Sequence, residues 1–214
     1  MFEPEIQGIK GLVTSILNAP RRGQRRVVAI VGPPGSGKST IAKALVPLIA
    51  QAGGLAQVVP MDGFHLDNSI LIERNLIDVK GSPGTFDVQG FAKLISRLGN
   101  EPEIIFPKFD RDKDLAIAGA GLVSEDCDLV LVEGNYLLLD APFWRDLSKY
   151  WDFSVFLEVE HKLLCKRLMQ RWLEQGLSSG QAKNRVKDND LVNVETVVSC
   201  SSVADLTFVN SSLT

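Results

Sequence analysis

Gly32-Pro33-Pro34-Gly35-Ser36-Gly37-Lys38-Ser39 decides how this 214-residue chain is read. The stretch fits G-x-x-x-x-G-K-[ST] without a gap. The run before it, Arg26-Val-Val-Ala-Ile-Val31, has the continuous apolar character of a buried strand. The run after it, Thr40-Ile-Ala-Lys-Ala-Leu-Val46, reads as a helix. Strand, glycine loop and helix together turn the pattern into a phosphate cradle. Backbone N–H groups of the loop point at phosphate oxygens, and the helix adds the positive end of its dipole. Lys38 then reaches the β and γ phosphates, and the Ser39 hydroxyl holds Mg²⁺, with Thr40 beside it. A nucleoside triphosphate is the expected ligand of these residues.

Working outward, strands and helices alternate. Segments 55–60, 128–134, 152–158 and 205–209 read as strands, and 103–106 as a short one. Segments 88–98 and 160–174 read as helices. The alternation predicts an α/β fold, a mostly parallel sheet covered by helices on both faces. One domain over 1–214 is expected. Ile6, Ile9, Leu12, Val13, Ile16 and Leu17 recur at helical spacing and predict an amphipathic helix within 1–19 that packs on its own domain. Segment 167–190 is expected to form a lid.

The bulk numbers exclude several classes. A net charge of −3 argues against a dedicated nucleic-acid binder. The cluster Arg21, Arg22, Arg25 and Arg26 reads as a solvated turn before the first strand. The 3 cysteines are widely spaced and the 2 histidines far apart, which disfavours disulfide frameworks and zinc clusters and points to a cytoplasmic home. No apolar run approaches the roughly 20 residues of a membrane span, and no signal pattern opens the chain. The expected partner is a small-molecule acceptor, with neither nucleic acid nor membrane; a homodimer is allowed.

Ligands of such folds sit beyond the carboxyl ends of the strands, so polar residues there carry the chemistry. Met61-Asp62-Gly63-Phe64-His65 follows one strand, and Glu133-Gly134-Asn135-Tyr136 ends another. Asp62 is the candidate base for an acceptor hydroxyl. Glu133 ends an apolar strand where a carboxylate holds Mg²⁺ directly or through water. On sequence grounds either acid can play either part. Arg167 and Arg171 share one face of the 160–174 helix, and Arg185 follows a glycine-bounded break. Lid arginines that close on a transferring phosphoryl group have this arrangement. Phe64, Phe86, Phe109, Trp144 and Trp172 are aromatic candidates for a pocket, with Trp144 and Trp172 expected in the core. Leu177-Ser-Ser-Gly-Gln181 approaches the signature of transporter ATPases but follows the acidic strand instead of preceding it. Asp87-Val-Gln-Gly90 fits D-x-x-G, yet no N-K-x-D guanine motif accompanies it, which removes the GTPase reading.

The combination resembles the phosphoribulokinase, uridine kinase and pantothenate kinase family of P-loop kinases. The motifs that carry the likeness are 32–39, Asp62-Gly-Phe-His65, Lys80-Gly-Ser-Pro-Gly-Thr-Phe-Asp87, Pro107-Lys-Phe-Asp-Arg111 and Glu133-Gly-Asn-Tyr136. The last, with Asn189-Asp190 and Asn193, is most similar to short bacterial members known as fructose-transport-system kinases. The resemblance implies a three-layer P-loop fold with a small helical lid, and ATP and Mg²⁺ as cofactors. It implies phosphoryl transfer to an alcohol, with a sugar such as fructose first, or else a nucleoside or pantothenate. A nucleotide-binding regulator without transfer is the reading from another class. Carried over residue by residue, Asp62 is the base, with Lys38 and Arg171 beside it in catalysis, and Ser39 and Glu133 hold Mg²⁺. Arg167, Arg171, Arg185 and Asn193 meet ATP. Asp62, His65, Asp87, Lys108, Arg111, Glu133 and Tyr136 are the candidates for the acceptor pocket.

Overall fold

The computed structural model describes residues 8–211, so Ile6 and the start of the expected N-terminal helix lie outside the described residues. Five parallel strands form the central sheet in the order β2 (Ala56–Pro60), β5 (Leu129–Gly134), β1 (Arg26–Val31), β6 (Phe153–Glu158) and β7 (Leu206–Val209). The two apolar runs read as doubly buried strands, β1 and β5, lie side by side within it, and every residue of β5 is buried. Successive side chains of β1 feed opposite layers. Val27, Ala29 and Val31 join a core with α4 (Val88–Leu98) and Trp144. Val28 and Ile30 join a second core with α1 (Ile9–Asn18) and α2 (Lys38–Gln51). Helices thus cover both faces, and α1 packs on its own sheet through Leu12, Val13 and Ile16.

The sequence reading ended the helix after the phosphate loop at Val46, before Pro47, but α2 continues through Pro47 to Gln51. Pro47 and Lys43 are both exposed, so water can satisfy the carbonyl that loses its helical donor there. The short strand expected at 103–106 is β3 (Ile104–Asp110), which pairs antiparallel with β4 (Leu115–Val123) in a separate hairpin. Asp62 stands in a tight turn, Met61–Phe64, docked against this hairpin. Gly63 permits the docking: a Cβ there would lie 2.2 Å from the Pro107 carbonyl oxygen.

Register brings the chemistry together. Pro60 pairs with Glu133, and Glu133 pairs with Ile30, so β2, β5 and β1 end level with one another. The phosphate loop, Asp62 and Glu133 therefore emerge on one rim.

The basic cluster is a solvated turn only in part: Arg21 and Arg22 are exposed, but Arg25 and Arg26 turn inward. Arg25 is 1% exposed. Its guanidinium donates to the carbonyls of Leu98, Glu101, Pro102, Ser124 and Cys127, at 2.6–3.2 Å. Arg22 pairs with Asp152 (2.8 Å), and Arg26 donates to the carbonyls of Ala19 and Pro20. Among the described residues, no helix is long and apolar enough to cross a membrane.

Candidate active site

A cleft of about 940 Å³ opens along this rim. At one end lies the phosphate loop. Gly37 adopts the left-handed conformation (φ 88°) immediately before α2, turning the loop into the helix N-terminus. Lys38 is buried, and its ammonium folds back on the loop to donate to the Pro33 carbonyl (3.0 Å). Burial pushes its pKa down to about 8, against the opposing pull of Glu133 and Asp62. Ser39 Oγ donates to Glu133 Oε1 (2.9 Å). Burial, reinforced by the charge of Asp62, raises the Glu133 carboxyl above the usual carboxylate range, and Lys38 opposes this.

Asn210, just past β7, is a loop-holding residue that the sequence reading missed. It is buried, and its Nδ2 donates to the Ser36 carbonyl (2.7 Å) from 174 positions away. Only the fold reveals the contact, because no motif links the two. Asn210→Ala leaves that carbonyl unpaired and loosens the cradle, at a cost of about 1–2 kcal/mol. Nucleotide titration by calorimetry should show an affinity roughly tenfold weaker.

At the other end, Arg111 Nη2 donates to Asp62 Oδ2 (2.6 Å) from the tip of the β3–β4 hairpin. The Asp62 side chain is 25% exposed and lines the cleft. His65 places Nδ1 2.8 Å from the Asp62 carbonyl oxygen, with Phe86 and Phe109 rings at 4.1 and 4.6 Å. Burial holds its pKa below the ordinary histidine value. Lys80 Nζ donates to Asn68 Oδ1 (2.7 Å) and Asp114 Oδ1 (2.8 Å), and sits 5.1 Å from the Phe109 ring centre.

The segment expected to form a lid runs from within α5 (His161–Glu174) through α6 (Ser179–Arg185) and a π-helical segment, Val186–Asp190. Arg171 Nη2 donates to Asp190 Oδ1 (2.9 Å), and the Trp172 indole N–H donates to Asp190 Oδ2. Trp172 corrects the expectation of plain core: it is half-buried and lines the cleft, with the Arg171 and Arg185 guanidinia 5.1 and 5.3 Å from its ring. Arg185 donates to the carbonyls of Asp78 (2.9 Å) and Lys80 (3.3 Å), and Asn189 to that of Lys80 (3.0 Å). Asn193 supports Asn189 (3.3 Å). Arg167 Nη1 donates to the Gly35 carbonyl (3.3 Å), so it touches the phosphate loop.

The sequence model of the phosphoribulokinase/uridine kinase family matches residues 27–210. The chain belongs to that family. It is a small-molecule kinase that phosphorylates an alcohol group. Protein YggC of Escherichia coli K12 is 39% identical over 187 residues, 86% of this chain and 77% of that protein. A candidate uridine kinase of Schizosaccharomyces pombe is 30% identical, covering 89% of this chain and 86% of its own length. Pantothenate kinases match at 26–29% over about half of their length, 49–55%. The crystal structure of a candidate fructose transport system kinase from Silicibacter sp. TM1040 superposes with a TM-score of 0.91 at 46% identity, covering 94% of this chain and 99% of that one.

Not every residue carried over from the family reaches the cleft. Asp87 caps α4, accepting from the Gly90 N–H (2.9 Å). Lys108 is exposed and lies over the Phe106 ring, 5.7 Å from its centre. Tyr136 is fully buried, and its hydroxyl donates to the Gly81 carbonyl (2.6 Å) while its ring packs on Phe86 and Trp144. None of the three is on the lining: Asp87 and Tyr136 brace the elements behind it, and Lys108 faces solvent. Conversely, Asn135, Asn189 and Asp190 line the cleft; all three stand in quoted motifs, but none was named as a site residue.

Proposed function

We propose that this kinase transfers the γ-phosphoryl group of ATP to a hydroxyl of a small polyhydroxy acceptor, a sugar such as fructose first among them. The observation that carries this is the level ending of β2, β5 and β1, which sets Asp62, Glu133 and the phosphate loop side by side. Nucleotide phosphates lie against the loop amides and Lys38, whose buried ammonium exchanges its own-loop carbonyl for phosphate oxygen. Asp62 accepts the proton of the acceptor hydroxyl as its oxygen bonds to the γ-phosphorus. The bond to the bridging oxygen breaks, and ADP leaves with that electron pair. Arg171, held by Asp190, and Arg167, on the Gly35 carbonyl, balance the charge on the transferring group.

Ser39 and Glu133 fit Mg²⁺, a hard cation that takes a hydroxyl and a carboxylate and draws further ligands from phosphate and water. The Ser39–Glu133 hydrogen bond shows both oxygens converging on one point, and Glu133 is buried there without a cationic hydrogen-bond partner among the contacts described. When bound, the ion neutralises phosphate charge. The nearness of a candidate fructose transport system kinase, at 46% identity over nearly the whole chain, supports the sugar. The test is ADP release in a coupled assay with Mg·ATP and a panel of hexoses, pentoses, uridine and pantothenate. Fructose or another sugar should stimulate release, and EDTA should abolish it. Stimulation by uridine or pantothenate alone would sink the sugar reading. Glu133→Gln should raise the Mg²⁺ concentration needed for half-maximal rate while leaving the acceptor KM unchanged.

A further inference from the structure

Two neighbouring side chains, Asn189 and Asp190, leave the π-helical segment Val186–Asp190 in different directions, as successive residues of a helix do. Both are buried, at 7% and 4% exposure. Asp190 turns to α5. Its Oδ1 accepts from Arg171 Nη2 (2.9 Å) and its Oδ2 from the Trp172 indole N–H. Asn189 turns to another part of the chain: its Nδ2 donates to the Lys80 carbonyl (3.0 Å), 109 positions away. Asn193 Nδ2 donates to Asn189 Oδ1 (3.3 Å), which keeps the N–H side of that amide toward Lys80.

The 78–81 loop is itself held from the sheet. Tyr136, just past β5, donates its hydroxyl to the Gly81 carbonyl (2.6 Å). The Lys80 carbonyl also accepts from Arg185 Nη2 (3.3 Å), so both of its lone pairs are used. Two successive carbonyls thus join Asn189 to a tyrosine anchored beside Glu133.

Arg171 depends on this support. Of the five N–H groups of its guanidinium, one is spent on a protein acceptor among the described residues, and that acceptor is Asp190. Its Nε is buried without a hydrogen-bond partner among the described residues. A guanidinium anchored at one corner takes its direction from that one carboxylate. The Trp172 indole holds the other oxygen, so the carboxylate cannot turn without breaking a second bond. Arg171, Lys80 and Gly81 all line the same cleft.

We infer that Asp190 and Asn189 are positioning residues. Asp190 aims Arg171 at the transferring phosphoryl group. Asn189 ties that helical turn to the 78–81 loop, so Arg171 is in line only while the loop is seated. The inference rests on the role given to Arg171 above and adds what controls that residue.

The test is coupled ADP release with the fastest acceptor of the panel above, fructose on the present reading. Calorimetry with ATP counts the competent sites, so protein that fails to fold drops out of kcat. Asp190→Asn keeps the shape of the carboxylate and one acceptor oxygen, yet loses the charge that holds the guanidinium. Its kcat should fall about 10- to 100-fold, the worth of a hydrogen bond between charged groups. The acceptor KM and the ATP affinity should hold, the pattern of an interaction made in the transition state. Asn189→Ala should lower kcat about 3- to 10-fold, the worth of a neutral hydrogen bond.

The decisive readout is non-additivity. In an Arg171→Lys background both substitutions should lose most of their effect on kcat, because the residue they aim is gone. A merely structural role would leave the effects additive. Additive effects, or an unchanged kcat in either variant, would overturn the inference and leave the role of Arg171 standing. An unchanged kcat in Arg171→Lys alone would remove that role, and the inference with it. If every alcohol is silent, the sugar reading falls, and the same cycle on ATP hydrolysis by water decides the inference by itself.

Discussion

Asp62→Asn lowers kcat by about 10²- to 10⁴-fold, the usual range for losing a positioned proton acceptor. The amide keeps the shape of the carboxylate and can accept a hydrogen bond from the acceptor hydroxyl, but it cannot take the proton. Nucleotide affinity should be unchanged, because the loop amides, Lys38 and Ser39 are untouched. Single-turnover kinetics paired with ATP calorimetry separates the two effects. A variant that kept native turnover would remove Asp62 as base and leave Glu133, buried against Ser39, as the remaining carboxylate at the rim. Arg111 gives a second view of the same site. It loses its partner in Asp62→Asn, so the hairpin tip should loosen, and hydrogen exchange over 110–115 should quicken.

Arg25→Ala should destabilise the fold by about 3–5 kcal/mol, as expected when a buried charge network loses its centre. Five carbonyls lose a donor at once: the end of α4 at Leu98, the connection through Glu101 and Pro102, and Ser124 and Cys127 before β5. Water can reach Pro102, which is exposed, and recovers part of the cost there. For a chain of this size, a loss on that scale corresponds to a melting temperature lower by about 10 °C. Arg25→Lys should fall between, since one ammonium has three donors where the guanidinium has five. Calorimetric melting of the three proteins tests the order. A wild-type melting point in Arg25→Ala would mean that those carbonyls find other partners.

Sequence carried the fold where local and global preferences agree. The runs before the glycine loop and before Glu133 were legible as buried strands because β1 and β5 sit in the middle of the sheet, where both faces need apolar side chains. β4 was not legible, because Leu-Ala-Ile-Ala-Gly-Ala-Gly-Leu-Val has no clean alternation and lies mostly exposed in a two-stranded hairpin. The phosphate loop could be read because its chemistry is contiguous. The acceptor end could be read only in part, because it is assembled from a turn, a loop and a hairpin tip. Lys80, Asn68 and Asp114 meet only after folding. Arg25 and Trp172 misled in opposite ways: a charge run suggested solvent, and an indole among leucines suggested core. In each case a specific partner decided, backbone carbonyls for Arg25 and Asp190 for Trp172.

Arg185 and Asn189 hold the loop at 78–80 by the carbonyls of Asp78 and Lys80 and not by the side chains of those residues. A main-chain carbonyl is the same whatever residue bears it. On the proposed reading, substitutions in that loop can retune which alcohol is accepted without releasing this contact. Selection can explore new substrates at one end of the cleft while Arg185 and Asn189 go on reading a surface that does not change. The latch is blind to the sequence it holds, and that blindness gives such a scaffold its freedom to diversify.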